Sequence, residues 1–236
     1  MGYAGLRITH YALCIMNSLT VQGIVISSMP IGEYDRRVEI LTGDLGRISA
    51  FARGARKPSS PLVSVCRPFA FGEFKLFQGK SSYSLSSARI DSYFEELAGD
   101  IVLTYYGFYF LELAKYFCRE GERAKEELKL LYVSLRSLIS EKFDNRLVRA
   151  VYEQKLLYCQ GLCPPSDYVR SYRDMSAGAR YTYDFVINTP PEKLFTFKLK
   201  EEILEEYADI SAELIRLTTD KEFNSLNLLE TLTKVD

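Results

Sequence analysis

Residue types that perform catalysis are sparse in this 236-residue sequence. The single histidine, His10, lies among the first fifteen residues, and nothing in the sequence pairs it with a nucleophilic serine or cysteine. Neither the GxxxxGK phosphate loop nor the HExxH or DxD pattern occurs. We therefore expect no catalytic residues and no enzymatic activity.

The five cysteines give little support for a metal site or a disulfide framework. Cys14, Cys66 and Cys118 are widely scattered, and only Cys159 and Cys163 lie close together. Tetrahedral zinc needs four ligands, usually in two close pairs, and the sequence has no second pair and no nearby histidine. Two thiols at this spacing more often pack at a helix end. We expect no metal, no other cofactor and the reduced thiols of a cytoplasmic protein.

A basic stretch that contains an aromatic residue, GDLGRISAFARGARKP, has the composition of a nucleic-acid-binding surface. Its first glycines favour a tight turn. The residues after the turn alternate between two faces of a strand, and small apolar residues occupy one face. The other face contains Arg47, Phe51 and Arg53, and two more cations follow in a loop. Cations beside an aromatic ring suit a surface on which a phosphate backbone lies and a base stacks.

The charges are unevenly distributed, although the net charge is only −1. Residues 45–90 contain eight cations and one anion, Glu73, so this stretch has a net charge of +7. Much of the compensating acid lies in KEEILEEYAD, at residues 200–209. A basic first part with an acidic second part is typical of a protein with a charged binding surface.

The arginines also fit a simple solvated barrel exterior, because cations keep exposed strands soluble. We favour a binding surface, since the charge has one sign across three strands and since Arg56 and Lys57 lie in a loop with little apolar content. For Phe51, Phe69 and Phe77 we expect packing in the core or between domains, which is the usual role of aromatic residues in barrel strands.

Short strands separated by turn signals occupy the first third of the chain. They are expected at residues 21–29, 36–42, 47–53, 69–77 and 82–90. Gly72 predicts a bulge or bend in the fourth strand. Five short strands rich in glycine fit a small five-stranded barrel of the oligonucleotide-binding (OB) type.

Apolar residues recur at helical spacing from Tyr93 onward. Further helices are expected at residues 122–141, 145–160, 198–217 and 223–232. Residues 166–191 are polar and rich in tyrosine, and they are expected to be irregular. The longest apolar run is too short to span a bilayer.

The predicted fold class is therefore α+β, with an N-terminal five-stranded OB-fold barrel followed by an α-helical domain. The barrel is expected to occupy residues 16–92 and the helical domain residues 93–236. We interpret residues 1–15 as an extended leader before a true start at Met16, where the sequence opens directly into a strand.

The first domain resembles the N-terminal barrel of the bacterial RecO family of recombination mediators. The matching segments are GEYDR at residues 32–36, TGDLG at residues 42–46 and ARGARK at residues 52–57. Pro68-Phe69 continues the resemblance in the first domain. In the second domain, QGLCPP and FNSL resemble a turn after a long helix and the closing segment of the family. The resemblance covers most of residues 20–229 and is dense only in the first domain.

This resemblance implies a DNA-binding recombination mediator that acts in DNA repair, in a RecF-type pathway, without catalytic chemistry. Such proteins bind single- and double-stranded DNA, anneal complementary strands and help load the recombinase on single strands. The implied partners are the RecR protein and the C-terminal tail of the single-strand-binding protein, with no membrane, and the implied location is the cytoplasmic nucleoid. Transferred to this sequence, the implied DNA contacts are Arg36, Arg37, Arg47, Arg53, Arg56, Lys57, Lys75 and Lys80.

One departure from the family concerns zinc. Many RecO proteins have a four-cysteine zinc site just after the turn that QGLCPP matches. Here the first expected pair falls near Tyr168 and Ser171, and the second pair has no equivalent between Tyr172 and Leu199. We therefore expect a zinc-less member of the family.

Two other functions fit the same sequence. The barrel could bind an acidic peptide as a protein-interaction adaptor without direct DNA binding, or it could bind RNA. A short acidic peptide should saturate at low stoichiometry, whereas affinity for DNA should grow with the length of the DNA. An RNA site should discriminate by the 2′-hydroxyl group.

Overall fold

A computed structural model describes residues 18–80, 82–172 and 174–233 of the chain. The expected leader with His10 and Cys14, and the expected start at Met16, lie outside the described residues.

The chain divides into two compact units. The first contains the described residues up to Tyr93 together with a separate segment, Cys118–Lys125. The second contains Phe94–Phe117 and the described residues from Glu126 onward. The sequence does not indicate that Cys118–Lys125 belongs with the first unit, because nothing in that segment resembles a strand.

Five strands form the sheet of the first unit. They are β1 (Ser18–Ile31), β2 (Asp35–Thr42), β3 (Gly46–Ala52), β4 (Phe71–Gln78) and β5 (Tyr83–Ser92), with one short helix, α1 (Leu62–Val65), between β3 and β4. The strands close into a barrel in the order β1-β2-β3-β5-β4. Every neighbouring pair is antiparallel except β3 and β5, which are parallel. The predicted OB-fold barrel and the α+β class are confirmed.

Strand β1 is longer than the sequence predicted because it is paired at both ends. Ser18 lies opposite Phe77 of β4, and Ile31 lies opposite Asp35 of β2. Strand β4, in contrast, begins later than predicted. Phe69 precedes it with a φ of 71°, a left-handed conformation that cannot continue a strand.

The alternation predicted for β3 is observed. Ile48, Ala50 and Ala52 are fully buried in the barrel core. The predicted irregularity at Gly72 is also observed, since the register of β4 against β5 shifts there. A Cβ atom at Gly72 would lie 2.1 Å from the carbonyl oxygen of Arg89, so only glycine permits this close approach of the two backbones.

The turn between β2 and β3 is held by the segment Cys118–Lys125. The backbone N–H of Ala124 donates to the carbonyl oxygen of Gly43 over 3.0 Å. Gly46 ends the turn with a φ of 67° and forms a bridge with Glu120. The first unit is therefore completed by residues that lie far from the barrel strands in the sequence.

The second unit is helical. Its elements are a 3₁₀ helix (Glu95–Gly99), α2 (Ile101–Phe117), α3 (Lys125–Ile139), α4 (Asn145–Cys159), α5 (Ser166–Tyr172), α6 (Ala177–Asn188), a second 3₁₀ helix (Pro191–Lys193), α7 (Glu201–Thr218) and α8 (Asn224–Thr233). No helix in the described parts of the chain is long and apolar enough to cross a bilayer.

The first long helix begins at Ile101, later than the sequence predicted. Phe94 has a left-handed φ of 51°, which interrupts helical geometry before the helix. Asp100 then caps α2, since its Oδ1 accepts a hydrogen bond of 2.7 Å from the N–H of Val102. The apolar spacing in the sequence begins before this cap because Phe94 and Leu97, which precede α2, are buried as well.

The expectation that residues 166–191 are irregular is wrong. Two helices, α5 and α6, lie in this region. Ser176 caps α6 by accepting a hydrogen bond of 3.2 Å from the N–H of Ala179. Ala179, Tyr183 and Val186 are fully buried and follow a helical spacing. This narrow apolar face was not recognised in the sequence because most residues around it are polar.

A buried ion pair lies in the helical unit. Glu153 is fully buried, and its Oε1 accepts hydrogen bonds from Arg149 Nε over 2.8 Å and from the Tyr109 hydroxyl over 2.6 Å. Its other oxygen, Oε2, has no hydrogen-bond partner among the described residues. Burial and the neighbouring carboxylate raise the pKa of Tyr109 well above its ordinary value. The Arg149 guanidinium therefore compensates a carboxylate that has no access to water.

We predict that Arg149→Met lowers the free energy of unfolding by about 3–5 kcal/mol, because the buried Glu153 charge would then lose its cation and keep only the hydrogen bond from Tyr109. Urea denaturation followed by circular dichroism measures this loss. The double variant Arg149→Met with Glu153→Gln should regain part of it, since the uncompensated charge is removed. A double variant no more stable than Arg149→Met would show that the arginine acts through packing alone.

Candidate nucleic-acid interface

The outer face of the β2–β3 hairpin is set by the register of the two strands. Arg37 lies directly opposite Phe51, and Leu41 lies opposite Arg47. Residues directly opposite one another in an antiparallel pair lie on the same face with adjacent side chains. The cation of β2 and the aromatic residue of β3 are therefore neighbours on the outside of the barrel.

This neighbourhood extends across four strands. Met29 of β1 lies opposite Arg37, and Ser84 of β5 lies beside Phe51, so the row reads Met29, Arg37, Phe51, Ser84. Phe51 is 37% exposed and Met29 is 49% exposed. The expectation of core packing is wrong for Phe51. It is confirmed for Phe69, which is buried.

Three hydrogen bonds join the β1–β2 turn to the loop after β3. Asp35 Oδ1 accepts from the N–H of Gly54 over 2.7 Å, and the Tyr34 carbonyl accepts from the N–H of Arg56 over 2.8 Å. Arg56 Nη1 donates to the Gly32 carbonyl over 2.8 Å. The two loops therefore hold each other in place, and the cations of the second loop are presented on an ordered backbone.

Tyr34 lies under a cation at this end of the barrel. The ammonium group of Lys57 is 5.2 Å from the centre of the Tyr34 ring, which is a cation–π distance. The Tyr34 side chain is 48% exposed. A hydrogen bond with Glu33 raises its pKa, so the phenol stays neutral at physiological pH.

We call this end of the hairpin the basic corner. Its members are Tyr34, Arg37, Phe51, Arg53, Arg56 and Lys57. All six are exposed to solvent. The two segments that form it, residues 32–37 and 51–57, contain five cations and two anions, a net charge of +3. One of those anions, Asp35, is used to hold the loop.

The structure does not bring all predicted DNA contacts to the basic corner. Arg36 lies opposite the buried Ala52, and its guanidinium donates to Ser28 Oγ over 3.2 Å. Arg47 is half-buried and pairs with Glu39 over 2.9 Å. Its charge is therefore compensated within the barrel.

Arg47 also has a second internal partner, since its Nε donates to the Cys118 carbonyl over 3.1 Å. Lys75 is exposed on β4, which pairs with β1 and β5 and not with β2 or β3. Lys80 is exposed in the hairpin between β4 and β5. Of the eight predicted contacts, Arg37, Arg53, Arg56 and Lys57 thus lie together, whereas the other four are distributed around the barrel.

Sequence reasoning missed two exposed apolar side chains of this surface, Tyr34 and Met29. Tyr34 lies within GEYDR, which was interpreted as a turn, so its ring was not considered as part of a surface. A signal that could have found it was the position of an aromatic residue at the tip of a turn, where burial is rare. Met29 could be placed only once the register between β1 and β2 was known.

Comparisons with known proteins agree with this architecture. Family profiles described as Recombination protein O N terminal and Recombination protein O C terminal match residues 16–94 and 98–168. A DNA repair protein RecO from Acetivibrio thermocellus is 26% identical over 93% of this chain and 99% of its own length. Another from Bacillus cereus is 32% identical over 70% of this chain and 64% of its own length. The chain belongs to the RecO family.

The RecO N-terminal profile encloses the whole barrel and therefore the basic corner. The C-terminal profile ends within α5, so it matches only the first part of the helical unit. A DNA repair protein RecO from Alkaliphilus metalliredigens matches 62% of this chain and 59% of its own length, with 30% identity. The region matched in the Bacillus and Alkaliphilus relatives is thus less than two thirds of their length.

The residues of this chain do not fit the four-cysteine zinc site that the resemblance associates with the family. Cys163 Sγ lies 3.0 Å from the Tyr183 hydroxyl, and burial raises the pKa of both Cys163 and Cys159, the latter to about 12. Two close thiols also fall short of the four ligands that a structural zinc site needs. Within the described ranges, no group of three or more histidine, cysteine or acidic side chains is placed to hold a metal.

We predict that Cys159 and Cys66 react slowly with iodoacetamide in the folded protein. Burial raises the pKa of Cys66 to about 11 and that of Cys159 to about 12, and only the thiolate is nucleophilic. At pH 8 the folded protein should be alkylated at least about 10-fold more slowly at these positions than the protein in urea. Peptide mass spectrometry resolves each site, and equal rates in both conditions would contradict these pKa values.

Proposed function

We propose that this chain is a DNA-repair protein whose barrel binds single- and double-stranded DNA, anneals complementary strands and helps load a recombinase on single strands. Membership of the RecO family supports a role in DNA repair and recombination. The observation that supports direct DNA binding is the basic corner, which presents four exposed cations and two exposed aromatic rings. OB-fold barrels bind oligonucleotides through their outer strand faces and adjoining loops.

The physical basis of annealing would be charge neutralisation. Two complementary strands repel each other, and a basic surface that binds both lowers this repulsion and raises their local concentration. The cations of the corner lie on two loops fixed by hydrogen bonds, so they do not have to be ordered when DNA binds.

The proposed partners are the RecR protein and the C-terminal tail of the single-strand-binding protein. These partners rest on the family resemblance. We propose that the tail docks on the helical unit and that the barrel holds the DNA, and that the protein acts at the nucleoid.

The proposed function is tested by fluorescence anisotropy with labelled single-stranded and duplex oligonucleotides across a salt series, followed by an annealing assay. Each neutralised phosphate on a single strand contributes about −0.7 to the slope of log affinity against log salt. Engagement of the four corner cations predicts a slope of about −3, and engagement of all eight predicted residues a slope of about −6.

The outcomes separate the competing functions. Absence of binding at low salt would contradict direct DNA binding, and saturation by a short acidic peptide would then favour an adaptor. Tighter binding of an RNA strand than of the matching DNA strand would favour an RNA-binding barrel, since an RNA site recognises the 2′-hydroxyl group.

A further inference from the structure

Phe51 presents a large apolar ring to solvent in the middle of a paired row of the barrel surface. Its neighbours on β2 and β5, Arg37 and Ser84, are both polar. Phe51 is 37% exposed between them. A phenylalanine exposed in this way has no role in the core, which lies on the opposite face of β3.

Arg37 is held beside this ring. Its Nε donates to Ser49 Oγ over 2.7 Å, and Ser49 lies on the same outer face of β3 as Phe51. The guanidinium has five N–H donors, and this bond uses one of them. A phosphate bound at Arg37 would therefore place its own nucleotide near the exposed ring of Phe51.

Tyr34 and Lys57 repeat this combination at the tip of the corner. The ammonium group lies over the tyrosine ring, and the ring is about half exposed. Each aromatic side chain of the corner is thus paired with a cation from a neighbouring segment. Neither exposure nor a single cation singles these rings out, since Tyr181 of the helical unit is 74% exposed and Lys155 lies 4.6 Å from the ring centre of Tyr158, which is 44% exposed. The two rings of the corner differ in sharing one surface with four exposed cations.

We infer that Phe51 is a base-stacking platform, with Tyr34 as a second one, and that these rings make the basic corner prefer single strands to duplex DNA. This inference rests on the proposed function. Stacking on an aromatic ring requires an unpaired base, whereas the faces of bases in a duplex are covered by their neighbours. The cations attract both forms of DNA, so the aromatic rings supply the difference between them.

The chain contains no tryptophan, so Phe51→Trp creates a single fluorescent reporter at the proposed platform. We expect strong quenching of this tryptophan when a single-stranded oligothymidylate binds and little quenching with a blunt duplex. Tyr181→Trp is the matched control and should respond to neither. Unchanged Phe51→Trp fluorescence at saturating single strand, with binding verified by anisotropy, would overturn the inference.

Phe51→Ala provides an independent test by affinity. We expect single-strand affinity to fall about 10-fold, with an unchanged salt slope and unchanged duplex affinity, because stacking is not electrostatic. An equal loss for single strand and duplex would overturn the inference, as would a normal affinity. Thermal melting of both variants identifies any loss of fold, and the tryptophan variant retains an aromatic ring if the alanine variant is unstable.

Failure of the inference is distinguishable from failure of the proposed function. Wild-type protein that binds neither DNA form refutes the function, and the inference with it. Wild-type protein that binds DNA and is unaffected by Phe51→Ala refutes the stacking platform alone.

Discussion

Replacing both Arg53 and Arg56 with alanine is expected to weaken single-strand binding about 20- to 30-fold at about 0.1 M salt. Each phosphate contact contributes to the affinity a factor equal to the salt concentration to the power of about −0.7. Losing two contacts therefore lowers the affinity by two such factors and makes the salt slope shallower by about 1.4. Both side chains are exposed, and the barrel core contains neither. The measurement is fluorescence anisotropy at several salt concentrations.

The control for this double variant removes the same charge elsewhere. Arg136 and Arg216 of the helical unit are exposed, and within the described residues their ion pairs, with Glu96 and Glu213, are long, at 3.7 Å each. Their double alanine variant should leave the slope nearly unchanged. Equal effects of both double variants would mean that net charge, and not the basic corner, determines affinity. A lowered melting temperature in the first variant alone would show instead that Arg53 and Arg56 are structural.

Gly46→Ala is expected to lower the free energy of unfolding by about 3–5 kcal/mol, the range of severely destabilising substitutions. Gly46 has a φ of 67°, which costs any other residue about 1–2 kcal/mol. In addition, a Cβ atom would lie 2.0 Å from the Arg119 carbonyl oxygen and 2.4 Å from that of Glu122. Both contacts are with backbone, so the segment Cys118–Lys125 would have to move away from the turn.

Gly54→Ala separates the two causes of this loss. Gly54 has almost the same backbone conformation, with a φ of 68°, but its nearest neighbour to a new Cβ would be Lys57 Cδ at 3.8 Å. It should therefore lose only about 1–2 kcal/mol. Urea denaturation of both variants makes the comparison. Similar losses of unfolding free energy in the two variants would show that the segment Cys118–Lys125 moves away from a new Cβ atom at Gly46 at little energetic cost.

The strands of the barrel could be predicted because their signals are local. Alternation of apolar residues and glycine-rich turns identified all five strands, and Gly72 marked one of the register shifts between them. The ends of β1 could not be predicted, since they depend on partners in β2 and β4. The helices of residues 166–191 were missed for a different reason, because their buried face is formed by a few small and aromatic residues in a polar background.

The basic composition of the interface could be predicted, but its geometry could not. Arg37 and Arg47 look alike in the sequence, and only the fold shows that Arg47 is paired with Glu39 and with a carbonyl group 71 residues away. Phe51 could not be assigned to the surface by residue type, because phenylalanine in strands is usually buried. The alternation in β3 placed Phe51 on the face opposite the small apolar residues, but only the register of β2 and β3 shows that it lies beside Arg37.

Photo-crosslinking of a single-stranded oligonucleotide that contains 5-iododeoxyuridine tests most directly whether the basic corner is where DNA lies. After irradiation, digestion and mass spectrometry, we predict that the main crosslinked peptides contain Tyr34 or Phe51. Double substitution of Arg53 and Arg56 should reduce their yield. Crosslinks confined to the helical unit, with none in residues 29–57, would contradict this account.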